Sequence, residues 1–236
     1  MPVLSDSFGL VRVINLPDRT DRYREVSRQL RDLGMGFGGN VELYAATRPT
    51  ELRGFNSLGA RGCFLSHLEI LRDALDRGVE SVLVMEDDCE VSATNAAVIA
   101  RVAEETKGRT WGFVYLGHIV PSVEDARPGL VEFDGPLQTT VLYGVHREVL
   151  GPLVEYLEGC LTRPPGDPVG GPMDVDGAIT MFRAAHPEVV TLIAQPVMAT
   201  QRSSRSDIRG RAIENVPGIR QLLALARVMR RKLKGR

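Results

Sequence analysis

The 236-residue sequence predicts an α/β fold with a mostly parallel, Rossmann-type sheet flanked by helices. Two observations predict it. Short β-branched apolar runs alternate along the chain with stretches whose apolar residues recur at helical spacing, and glycine or proline punctuates most of the junctions. The first run, Leu10 to Leu16, closes at Pro17 and reads as a buried strand; Tyr23, Val26, Leu30 and Leu33 then mark a helix over 18–33 that Gly34 stops. A weaker strand follows at Val41 to Ala45. Cys63, Phe64, Leu68, Leu71 and Leu75 give a helix with a broad buried face over 58–77, and Val79 to Met85 is a buried strand that runs straight into Glu86-Asp87-Asp88. Helices are expected at 96–105, 148–160 and 174–185, and strands at 111–116, 139–145 and 189–194. The segments 117–137 and 163–172, rich in Pro and Gly, are expected as loops long enough to act as lids.

The formal charge of −1 conceals an asymmetry. From Arg209 onward the chain carries nine basic residues against Glu214, a local +8, so the preceding 208 residues carry −9. Cys63, Cys89 and Cys160 are far apart and form no CxxC pair, which argues against a disulfide framework or a structural zinc. No GxGxxG follows the first strand and no GxxxxGK[ST] occurs, so dinucleotide-binding and P-loop chemistry lose their main support. The N-terminus lacks a basic, then apolar, leader pattern, and no run reaches the roughly 18 apolar residues of a spanning helix. A cytoplasmic protein is expected on these grounds.

Glu86-Asp87-Asp88 is the sharpest local feature. Three carboxylates beside a buried strand repel one another and lose hydration, so they call either for solvent or for a cation. Glu86 and Asp88 can converge on one hard ion such as Mn²⁺ or Mg²⁺. Gly62-Cys63-Phe64-Leu65-Ser66-His67 places small, hydroxyl and imidazole groups at a helix start, which reads either as a structural histidine or as an anion contact. Asp174 and Asp176 are either helix-start acids that complement the macrodipole or a general base. Asn15, Arg19 and Arg22 follow the first strand, where an α/β architecture meets a nucleotide.

Taken in order, Val13 to Arg22, Gly62 to His67, Val82 to Asp88, Thr140 to Val145, Pro172-Met173-Asp174 and Ser206-Asp207-Ile208 resemble glycosyltransferase family 25. The resemblance spans residues 11 to 208. It implies a GT-A-like fold and transfer of a hexose, galactose or glucose, from a UDP-sugar to a hydroxyl of a glycan or lipid-linked acceptor, with inversion and divalent-metal assistance. Glu86 and Asp88 then match the metal-binding acidic motif, Asp174 the base with Asp176 in reserve, and Asn15, Arg19, Arg22, Gly62, Ser66, His67 and Asp87 the donor side. Two departures stand out: Val145-His146-Arg147 replaces a Ser-Arg-Lys-like turn, and the late Ser-Asp-Ile segment is rich in arginine. Both bear on the acceptor. The competing expectations are a degenerate relative that binds a sugar or nucleotide without transfer, and a metal-dependent phosphohydrolase.

The implied organisation is a catalytic domain over 1–208 and a basic tail over 209–236. In the tail Ile219, Leu222, Leu223, Ala226, Met229 and Leu233 fall at helical spacing, with Arg220, Arg227, Arg231 and Lys234 on another face. That pattern is a basic amphipathic helix suited to an anionic membrane surface, here the inner face of the cytoplasmic membrane, or else a packed C-terminal helix. Without an aromatic residue for base stacking, nucleic acid is not an expected partner.

Overall fold

The computed structural model describes residues 4–92, 96–120 and 128–202. A 3-10 turn, Leu4–Ser7, leads into β1 (Leu10–Asn15), α1 (Thr20–Asp32), β2 (Val41–Ala45), α2 (Leu58–Asp76) and β3 (Ser81–Glu86). There follow β4 (Cys89–Val91), α3 (Ala96–Gly108), β5 (Phe113–Tyr115), β6 (Gly129–Glu132), β7 (Leu142–His146), α4 (Arg147–Thr162), α5 (Val175–Ala185), β8 (Thr191–Gln195) and β9 (Ala199–Gln201). The tail assigned to 209–236 and the Ser206-Asp207-Ile208 segment lie outside the described residues.

Seven strands form one sheet in the order β2-β1-β3-β7-β5-β8-β6. β1 runs parallel to β2 and β3, and β5 to β8, while β7 is antiparallel to β3 and β5, and β6 to β8. Five of the seven strands therefore point one way, which is the mixed α/β, mostly parallel sheet flanked by helices that the sequence predicts. The reversed β7 has a functional consequence: its N-terminal end lies beside the carboxyl end of β3, with Met85 opposite Leu142.

Alternation along the strands sorts the core into two layers. Val82, Val84, Phe113, Tyr115, Tyr143 and Ile193 pack with α2, α4 and α5, whereas Leu83, Met85, Val114, Leu142 and Leu192 pack with α1 and α3. Both faces being covered explains why the central strands read as continuous apolar runs. Each fully buried leucine on α2, such as Leu71, contributes about 2 kcal/mol through apolar area removed from water. The helix begins where Ser57 accepts the amide of Ala60 at 3.0 Å through its hydroxyl.

Two expectations needed correction, and two short strands carry no sequence signal. The segment 117–137 holds an edge strand, β6, whose apolar pair Leu130-Val131 is too short to stand out between Gly129 and Glu132. The three-residue strands β4 and β9, paired antiparallel with Cys89 opposite Gln201, are likewise below the length at which periodicity speaks. The strand expected from Thr139 begins only at Leu142, because Thr139 adopts φ +76°, a conformation that breaks an extended run.

Candidate active site at the carboxyl end of β3

The carboxyl ends of β1 and β3, the segment before β7, the start of α5 and the middle of α2 bring the nominated residues together. Glu86 is the last residue of β3, and its amide donates to the carbonyl of Val141 at 3.0 Å. Its Oε1 accepts the Thr140 hydroxyl at 2.7 Å and lies 3.4 Å from His67 Nε2. Burial alone would raise this carboxyl, but His67, Thr140 and the charge of Arg22 outweigh it and hold Glu86 below the ordinary carboxylate range.

Asp87 and Asp88 are both buried and serve differently. Asp87 accepts Arg22 Nη1 at 2.6 Å, so two residues nominated separately as donor contacts hold one another. Burial still raises the Asp87 carboxyl, opposed by Arg22. Asp88 Oδ2 accepts Gln201 Nε2 at 3.1 Å, and its Oδ1 is buried with no hydrogen-bond partner among the described residues. Burial first, and the Glu86 charge second, push the Asp88 carboxyl up to about 6. A buried carboxylate oxygen lacking a partner, beside a second carboxylate, is a donor set that fits a hard divalent cation.

On α5, Asp174 occupies the N-cap position, is exposed, and makes no side-chain capping bond. What desolvation its carboxyl suffers, together with the charge of Asp176, raises it above the ordinary range. Asp176 is engaged: Oδ2 accepts the amide of Thr139 at 3.1 Å and Oδ1 that of Gly177 at 2.7 Å. It thereby anchors the left-handed Thr139, whose neighbour Thr140 reaches Glu86. The charges of Glu86, Asp176, Asp174 and Asp88 all bear on the Cys63 thiol, which they and, above all, burial push well up. One sulfur thus senses both acid pairs.

The Gly62–His67 motif does not start a helix. With Ser57 as N-cap, Gly62 lies in the second turn of α2 and His67 in its buried middle. A Cβ at Gly62 would come 2.6 Å from the carbonyl oxygen of Thr47, so glycine lets the segment after β2 lie against the helix. Ser66 Oγ accepts the Thr47 amide at 2.9 Å and donates to the carbonyl of Gly62 at 2.8 Å. His67 Nδ1 lies 3.0 Å from the Tyr143 hydroxyl, with the rings stacked 5.7 Å apart.

Of the residues after β1, Asn15 is buried. Its Nδ2 donates to the Leu16 carbonyl at 2.9 Å, and its Oδ1 has no partner among the described residues. Arg19 clasps the Asp21 carboxylate at 2.8 and 3.0 Å. Thr140, Tyr143 and Gln201 are site residues that sequence reasoning missed; each sits in or beside a strand, where a hydroxyl or amide carries no spacing signal.

No helix among the described residues is long and apolar enough to cross a membrane. Residues 11–126 match the model of glycosyltransferase family 25, described as an LPS biosynthesis protein. The inactive glycosyltransferase 25 family member 3 of Homo sapiens is 30% identical over 118 residues, covering 48% of this chain and 19% of that protein. Procollagen galactosyltransferase 1 of Danio rerio is 28% identical over 145 residues, covering 52% and 24%. The chain thus aligns with a quarter or less of the length of these curated relatives. Among solved structures, the glycosyltransferase involved in glycosylation of the major capsid of PBCV-1 superposes with a TM-score of 0.44 at 12% identity, over 84% of this chain and 94% of that one. The stretch that matches the family 25 model, residues 11–126, holds β1, the Gly62–His67 motif and the acidic triplet.

Proposed function

We propose that the protein is an inverting hexosyltransferase that moves galactose or glucose from a UDP-sugar to a hydroxyl of a glycan or lipid-linked acceptor. The observation that carries this reading is the buried Oδ1 of Asp88, which has no hydrogen-bond partner among the described residues, beside Glu86 at the strand end. Glu86 and Asp88 would hold Mn²⁺ or Mg²⁺, which when bound supplies positive charge against the diphosphate leaving group.

The remaining roles fall to side chains. The acceptor oxygen attacks the anomeric carbon from the face opposite the diphosphate. As that bond forms, the bond to the diphosphate breaks, UDP leaves with its electron pair, and the hydroxyl proton passes to the Asp174 carboxylate. Asp174 suits this task because it is exposed, free of a capping bond and raised toward the operating range. Asp176, with both oxygens bonded to amides, is better read as the anchor of the Thr139-Thr140 turn than as a base. Asn15 offers a buried acceptor for the nucleotide. Arg19 lies on the same loop, whereas Arg22 acts by holding Asp87, and Gly62, Ser66 and His67 act by shaping α2 behind the donor.

The test is UDP release from a panel of UDP-sugars with Mn²⁺, with and without acceptor. Acceptor-dependent release that is lost in Asp88→Ala supports the reading. Binding of a UDP-sugar without turnover would instead favour a degenerate family member, the alternative that the relative named as inactive brings forward. Metal-dependent release of inorganic phosphate without any acceptor would mark a phosphohydrolase. For the basic C-terminal segment the proposed partner is an anionic membrane; equal liposome binding by the full chain and by a chain ending at Asn215 would refute it.

A further inference from the structure

Cys63 and His67 stand four residues apart on α2, so their side chains share one face of the helix. That face meets the end of β3 at Glu86. One ligand atom from each of the three residues lies within 4.8 Å of the other two. Sugar transfer as described uses Glu86 but no chemistry of the thiol or the imidazole.

His67 is completely buried, and its Nε2 makes no hydrogen bond among the described residues. The other ring nitrogen lies 3.0 Å from the Tyr143 hydroxyl; with the ring proton donated there, the Nε2 lone pair faces Glu86 Oε1 at 3.4 Å. Two electron-rich atoms at that distance repel unless a cation, proton or metal, lies between them. Metal bonds of about 2.0–2.1 Å to nitrogen and oxygen, opened to the tetrahedral angle, put the two ligand atoms about 3.3–3.4 Å apart, which matches. A ligating histidine commonly fixes its second nitrogen on a polar partner, the place Tyr143 takes here.

Cys63 supplies a third corner. The charges of Glu86, Asp176, Asp174 and Asp88 that resist a lone thiolate also draw in a dication, and a dication removes the obstacle to the thiolate.

We propose that Cys63 Sγ, His67 Nε2 and Glu86 Oε1 form a binding site for a borderline-soft divalent ion of the zinc class. Thiolate and imidazole select such an ion over Mg²⁺ or Mn²⁺. Three protein ligands leave a fourth position for water. Because Glu86 belongs both to this set and to the hard-cation pair with Asp88, zinc loading antagonises the support of transfer by Mn²⁺.

The test is a Co²⁺ titration of the full metal-free chain, read by the near-ultraviolet sulfur-to-cobalt charge-transfer band. The expected result is a band that saturates at one equivalent, is displaced by Zn²⁺ and is lost in Cys63→Ser. No band in the unsubstituted chain, or an unchanged band in Cys63→Ser, overturns the site. Should Cys63→Ser fail to fold, iodoacetamide labelling of the unsubstituted chain decides: Zn²⁺ but not Mg²⁺ should slow labelling of Cys63 by about tenfold or more, and equal rates overturn the proposal. Neither measurement needs a sugar donor, so either can fail while the transferase reading stands.

Discussion

The site contains two acid pairs that look alike in sequence, Glu86 with Asp88 and Asp174 with Asp176, and in each pair one member is tied to the Thr139-Thr140 turn and the other is not. Glu86 takes the Thr140 hydroxyl and Asp176 takes the amides of Thr139 and Gly177. Asp88 bonds Gln201 through one oxygen and keeps the other, buried, without a partner among the described residues, and Asp174 makes no capping bond. The two tied members belong to one assembly, since Asp176 holds the left-handed Thr139 and the next residue, Thr140, reaches Glu86. The comparison teaches a division of labour: Glu86 and Asp176 tie the strand end and the helix start to one turn, and under the proposed function Asp88 and Asp174 would serve the cation and the proton. The pairs differ in their surroundings. Asp88 is buried and Asp174, at a helix start, is exposed, although desolvation is the largest cause of the upward shift in both.

The sharpest way to break this division is Asp88→Ala, which should lower transfer on the order of a thousandfold with circular dichroism unchanged. Near-normal turnover in excess Mn²⁺ would remove Asp88 from its role. Next, Asp174→Asn should cost about a hundredfold or more in turnover, as expected for loss of a general base, and flatten the acid limb of the pH–rate profile. Asp176→Asn should cost less; the reverse order would exchange the two roles.

A stability measurement probes the enclosure of Asp88 directly. Its carboxyl titrates near 3.8 in the unfolded chain and at about 6 when folded, so the folded state prefers the protonated form. The stabilisation from that proton is full below about pH 4 and is lost as pH rises through about 6. In the metal-free protein Asp88→Asn, which has no proton to lose, should therefore be more stable than the parent by roughly 2 kcal/mol near pH 7.5, with the gain vanishing near pH 4, by urea titration. A gain that does not change with pH would mean that the carboxyl is not desolvated. The smallest effect belongs to Thr140→Val, which removes the hydroxyl from Glu86 and should cost about 1–2 kcal/mol of stability while raising the Glu86 carboxyl. No change in either would detach Glu86 from the assembly.

Much of the scaffold was legible because its signals are local. The run Val82 to Met85, buried on both faces, reads as a strand from composition alone, and Val41–Ala45 agrees with its expected bounds. β4 and β9 were not legible, since three residues carry no period. The acidic triplet was visible as a cost without a compensating charge. What each acid does was not visible, because Arg22 lies 65 residues from Asp87 and Gln201 lies 113 from Asp88. The Gly62–His67 motif was found but misplaced at a helix start; Ser57 caps the helix one turn earlier, which puts His67 in the core.

The sequence by itself determined the alternation of strand and helix, the position of the acidic triplet at a strand end, and the residue types able to hold a cation or take a proton. Periodicity and local charge are properties of neighbouring residues, so they survive without a fold. Only the tertiary structure decided which carboxylates are tied to the Thr139-Thr140 turn and which are not. It did so by reversing β7, which carries Thr140 to Glu86, and by setting α5 where Asp176 meets Thr139. Burial and long-range hydrogen bonds decide a carboxylate's role, and both depend on residues far apart in the chain.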